Sequence, residues 1–136
     1  MSINGSIPGP VLHFTEGDTA VIRVHNMMAT ETSFHWHGLL VPNDQDGVPY
    51  LTSAPVKPHA THTYTFPIIQ NGTYWYHSHS GLQEQSGLYG AFVVHKRRND
   101  PARRAEDTLP EYTLELSDWT NENPNEVNRK LHTGSD

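Results

Sequence analysis

Polar and apolar side chains alternate with a period of two along much of the first 95 residues. At 61–66, the small polar Thr61, Thr63 and Thr65 interleave with the rings of His62, Tyr64 and Phe66; at 19–25, Val21, Arg23 and His25 interleave with Ala20, Ile22 and Val24. Successive residues of a strand point to opposite faces, so this pattern predicts half-buried strands over both segments. Glu16-Gly17-Asp18 is a turn signal that separates the second of these from a short strand at 11–14. Further strands are predicted at 33–37, at 73–78 after the Asn71-Gly72 turn, and at 88–95, whose apolar run reads as the most buried. A long loop rich in turn formers fills 41–58. Helical periodicity is absent before residue 100, and with ten glycines and ten prolines the chain reads as all-β, a Greek-key β-barrel or sandwich with a polar C-terminal extension.

The character changes after His95. Residues 1–96 are expected to form one domain, 97–110 a charged, proline-bounded linker or surface excursion, and 111–136 a strand over 111–116 followed by a polar tail. That tail has one short helical turn near 126–131 and too few apolar residues to fold alone, so it reads as the start of a truncated second domain.

Length and charge narrow the function. At 136 residues the chain is one domain's worth, and its formal net charge of -6 offers no basic face for a phosphate backbone. The cluster of Lys96, Arg97, Arg98, Arg103 and Arg104 is interrupted by acids, so no nucleic-acid partner is expected. Uncharged apolar runs stop at about five residues, far short of the roughly 20 that span a bilayer, so no membrane association is expected. The opening MSINGSIPGP has neither the basic start nor the apolar run of a signal peptide.

Histidine and cysteine change the picture most. Ten residues are histidine, nine of them before position 96, and none is cysteine. The missing thiol excludes disulfides, zinc ribbons, cysteine nucleophiles and a blue-copper centre. Two segments are His-x-His: His35-Trp36-His37 and His77-Ser78-His79. On a strand, residues i and i+2 share a face roughly 6.5 to 7 Å apart, so each pair offers two imidazoles to one side of a sheet. That span suits neighbouring metal ions better than a single ion with bonds of about 2 Å. Imidazoles without thiolate fit copper, zinc, nickel or iron, with copper(II) near the top of the affinity order. His13, His25, His59, His62, His95 and His132 read as ordinary packing or surface residues, and Trp36 and Trp75 as core and wall.

HWHG at 35–38, DGVP at 46–49, GTYWYHSHSGLQEQSGLYG at 72–90, NGSIPGP at 4–10, EGD at 16–18 and SDWT at 117–120 resemble the first cupredoxin domain of multicopper oxidases, in the bacterial copper-resistance and laccase-like branch. The resemblance implies a cupredoxin-like barrel holding half of a trinuclear copper cluster that reduces dioxygen to water. It makes His35 a ligand of type 2 copper, and His37, His77 and His79 ligands of the type 3 pair. Asp46 becomes the carboxylate that orients water and supplies protons, although an Asp before Gly47 is equally what a turn requires. Such oxidases complete the cluster with four more histidines and a cysteine-bearing type 1 site from another domain, motifs that this sequence lacks. As a monomer it is therefore expected to be inactive, its copper shared with a missing C-terminal cupredoxin domain. The alternatives are a stand-alone copper-binding module and a homo-oligomer sharing copper between subunits. The resemblance also implies a periplasmic or secreted protein.

Overall fold

The computed structural model describes residues 1–102 and 104–134, in the order β1 Leu12–Thr15, β2 Thr19–His25, β3 His35–His37, β4 Thr61–Pro67, β5 Gly72–His77, β6 Tyr89–His95 and an α-helix, α1 Pro124–Thr133, with short 3-10 turns at Asn43–Gln45 and Ala105–Thr108. The predicted all-β body is present. Four strands form one sheet in the order β1-β6-β5-β3, and β2 and β4 form a second. The two sheets pack as a sandwich rather than closing into a barrel, and no ladder joins them among the described residues.

Register explains which side chains meet. β2 and β4 pair antiparallel with Ala20 opposite Phe66 and Ile22 opposite Tyr64, so their inward residues face the larger sheet. From that sheet come Trp36, Tyr76, Phe92 and Val94, all buried, with Leu12, Phe14 and Tyr74 packed beside them. The Trp36 ring meets Tyr64 at 5.0 Å, Phe66 at 5.4 Å and Phe92 at 6.1 Å. Trp36 is 1% exposed. Burying an aromatic side chain of this size contributes about 2 to 3 kcal/mol through area removed from water, which makes this cluster the chief tie between the layers. Gly90, in register with Tyr76, leaves space that a Cβ would take from the Tyr76 ring. The Tyr76 hydroxyl can therefore reach the Pro10 carbonyl at 2.8 Å.

Because Trp36 and Tyr76 point inward, their neighbours point out. His35, His37, Trp75 and His77 lie on the outer face of the sheet, with His35 opposite His77 and His37 opposite Trp75. Tyr89, Ala91, Val93 and His95 continue that face along β6.

The strand expected over 111–116 is not formed. Tyr112, Leu114 and Leu116 alternate as a strand would, but they are 90%, 88% and 94% exposed and no neighbouring edge pairs with them. The alternation is real; a ladder also needs a partner backbone. The segment instead lies across the outer face, where residues 113–118 bound a cavity of about 480 Å³ with Trp75, Glu84, Tyr89 and Ala91, and Ser117 Oγ lies 2.6 Å from the Tyr89 hydroxyl. The helical turn expected near 126–131 is the ten-residue α1, capped by Asn123, whose side chain accepts the Asn125 N–H at 2.9 Å, and begun by Pro124. No described helix is long and apolar enough to cross a membrane.

Candidate metal centre

β3 is three residues long and delivers both histidines of the first pair. Its position is fixed by the buried residue between them: Trp36 Nε1–H donates to the Gln45 carbonyl at 3.0 Å, and the Gln45 side-chain oxygen accepts Thr65 N–H at 2.7 Å. This ties the loop after β3 to both sheets. The same loop brings Asp46 under His35. Gly47 makes the turn at φ 76°, where a Cβ would overlap the Phe34 carbonyl. Only glycine satisfies both conditions without strain.

His35, His37 and His77 converge. One ring nitrogen from each lies within 4.8 Å of the others, His35 half-buried, His37 exposed and His77 buried. His35 Nδ1 lies 2.9 Å from the Asp46 carbonyl and 3.4 Å from its carboxylate. His77 Nδ1 lies 3.0 Å from the Ser78 carbonyl and 3.0 Å from Glu84 Oε2. These partners only accept, so Nδ1 carries the proton in both rings and Nε2 keeps its lone pair free. His77 Nε2 faces His37 Nδ1 at 3.2 Å. Burial pushes the His77 pKa below the ordinary histidine range, against the raising effect of Ser78 and Glu84 and with help from His35 and His37. A neutral imidazole with its far nitrogen anchored to a carboxylate is the form that binds a metal.

His79 sits beside the trio without joining it. Its ring lies 5.7 Å from that of His35 and 5.9 Å from that of His77, and it is exposed. Asp46 is adjacent to the group through His35. Of the remaining histidines, His62 packs its ring on Tyr64 at 4.5 Å, in keeping with a packing role.

Sequence reasoning missed two residues that shape this centre. Glu84 is the carboxylate partner of His77. Gln83, 8% exposed, accepts from the hydroxyls of Thr32 and Ser78 at 2.7 Å each and donates to the Glu31 carbonyl at 2.9 Å. It thereby pins the chain on which His77 and His79 stand. The one available signal was the polar run QEQ six residues after His77, in a segment otherwise built of small residues.

The donor set is three clustered imidazoles with a fourth nearby and no thiolate, which fits copper or another late transition ion. The comparisons with known proteins point the same way. The chain is 50% identical over 135 residues to copper resistance protein A of Escherichia coli, covering 99% of this chain and 22% of that protein. It is 46% identical over 136 residues to copper resistance protein A of Pseudomonas syringae pv. tomato, covering 100% and 22%. It thus spans about a fifth of the length of these relatives. Among solved structures, Lac15 from a marine microbial metagenome superposes with a TM-score of 0.65 at 40% identity, over 68% of this chain and 26% of that one. Fet3p, a multicopper oxidase that functions in iron import, gives 0.65 at 40% identity, over 74% and 20%. The family model for multicopper oxidase matches residues 1–99, which hold both His-x-His pairs and all six strands. The chain belongs to the multicopper oxidase family.

Proposed function

We propose that this chain supplies one half of a trinuclear copper site for dioxygen reduction. His35 serves the type 2 position, while His37, His77 and His79 serve the type 3 pair. The observation that carries this reading is the incomplete convergence: three imidazole nitrogens lie within 4.8 Å of one another, with His37 exposed and His79 exposed beside them. A single ion would be expected to draw its ligands into one closed shell; an open array is what shared ions need. The other half would come from a further cupredoxin domain or from a second copy of this chain. Residues 1–96 are read as the ligand-bearing domain, 97–110 as a linker and 111–136 as the opening of the next unit.

Bound copper would relay to dioxygen the electrons that a reducing substrate supplies. The work of the chain itself is positional and acid-base. Asp46 and Glu84 keep His35 and His77 in the tautomer whose Nε2 lone pair is free. Asp46, 29% exposed at its side chain, can orient water at Oδ1 beside His35 and pass on protons towards the cluster. Trp75 and the 113–118 segment bound a cavity on the flank of the histidine face. We read the compartment as periplasmic or secreted, from the resemblance to copper-resistance oxidases.

The test is oxygen consumption with a small phenolic reductant, measured on the copper-loaded chain alone and after assembly with a cupredoxin domain carrying the complementary histidines and a type 1 site. Activity only in the assembly, lost with His77→Ala, supports the half-site. Equal turnover by the chain alone contradicts it.

A further inference from the structure

A second pair of histidines meets on the same outer face, at the opposite edge of the sheet. β1 runs parallel to β6 with His13 opposite Val93 and Thr15 opposite His95, so His13 and His95 are diagonal neighbours on the face away from the core. Their partners on the other face, Phe14 and Phe92, stack at 5.0 Å within the core and hold the two strands in this register. His13 Nδ1 lies 3.0 Å from His95 Nε2, the rings only 8° from parallel, and both residues are exposed.

We propose that His13 and His95 form a second, independent site for a single divalent late transition ion, with copper(II) preferred. Two imidazoles bound to one ion at about 2.0 to 2.1 Å stand roughly 2.9 Å apart when cis at a right angle and roughly 3.4 Å apart at a tetrahedral angle. The observed 3.0 Å falls in that interval, as does the 3.2 Å between His37 and His77 in the principal centre. Without metal the short contact requires one of the two nitrogens to hold a proton and the other a lone pair. Moving that proton to the other nitrogen of the same ring leaves two lone pairs on facing atoms with both imidazoles neutral, and an ion can bridge them with small ring rotations. The sheet has already fixed both backbones, so little ordering opposes binding. Glu111 and Asn71 line a cavity of about 140 Å³ beside His95, and either offers an oxygen ligand. Water completes the shell, and copper(II) leads the affinity order for imidazole and oxygen donors.

The two centres do not share residues. β1 and β3 are opposite edges of the four-stranded sheet, and His77 pairs with Tyr89 at one end of β6 while His95 ends the other. Six residues at about 3.3 Å each put roughly 20 Å between them along the strand. The pair therefore binds metal whether or not the half-site reading holds.

The experiment is a copper(II) titration of the full chain by calorimetry, with the same titration on His13→Gln, His95→Gln and, as a control, His25→Gln. His25 is also an exposed strand histidine, but it lies against Thr61. We expect the parent to take one more copper than either His13→Gln or His95→Gln, or to bind its last copper at least about tenfold more tightly, with His25→Gln like the parent. Amide signals of residues 13–15 and 93–96 should broaden at substoichiometric copper(II) in a His35→Ala/His77→Ala background. The same stoichiometry and affinity in all four proteins, or no broadening at β1 and β6 in that background, overturns the proposal.

Discussion

The indole of Trp75 stacks on the imidazole of His77, ring centres 4.2 Å apart and planes 21° from parallel. It also stacks on His37 across the ladder, at 4.9 Å and 28°. One half-buried ring thus fixes the planes of two candidate ligands that belong to different strands. Trp75→Ala should lower stability by about 1 to 3 kcal/mol, less than a fully buried aromatic, and weaken copper binding. Trp75→Phe should recover most of both. Urea unfolding and copper titration check this; unchanged copper affinity in Trp75→Ala would show that the stacking has no part in arranging the ligands.

Glu84 acts on copper only through His77. Glu84→Ala should cost about 10- to 100-fold in copper affinity, as removal of carboxylates behind metal-bound histidines does. Glu84→Gln keeps an oxygen that accepts from Nδ1–H and should lose much less. Equal losses in the two variants would mean that charge, rather than the fixed tautomer, is what Glu84 contributes.

Gly47 holds the loop that carries Asp46 to His35. Gly47→Ala forces a Cβ onto the Phe34 carbonyl at a positive φ and should destabilise the chain by about 1 to 3 kcal/mol, measured by the denaturation midpoint. A parent-like midpoint would show that the turn can be remade without glycine.

Glu115, which lines the same outer-face cavity as Trp75 and Glu84, gives a pH test that uses none of the candidate ligands. Burial raises its pKa, and its Oε1 lacks a hydrogen-bond partner. The folded chain therefore holds this proton more tightly than the unfolded chain does. Its contribution is most favourable below the unfolded value of about 4.5 and is lost as pH rises through the raised folded value. Glu115→Gln should then be more stable than the parent at pH 7, with the difference vanishing near pH 4. Midpoints at the two pH values decide; a variant less stable than the parent at pH 7 contradicts the assignment.

Much of this was legible in the sequence because period-two alternation reports directly on strands. β2 has the predicted bounds Thr19–His25, and the His-x-His spacing placed His35 and His37 on one face, as found. The segment at 111–116 misled because alternation carries no information on whether a partner edge exists. β5 ends at His77, so the strand spacing does not reach His79, whose ring nonetheless stands 5.7 Å from that of His35 and 5.9 Å from that of His77. Glu84 and Gln83 were hidden because their partners lie 7 and 51 residues away, contacts that only the fold creates. The His13 and His95 contact, 82 residues apart in sequence, was hidden for the same reason.

The central claim is that His35, His37 and His77 hold copper, and the most direct measurement is copper retained after dialysis, by elemental analysis, in a His13→Gln/His95→Gln background with and without His35→Ala and His77→Ala. The account predicts copper retained in the first protein and lost when either histidine of the principal centre is removed. Equal retention with and without them would contradict it.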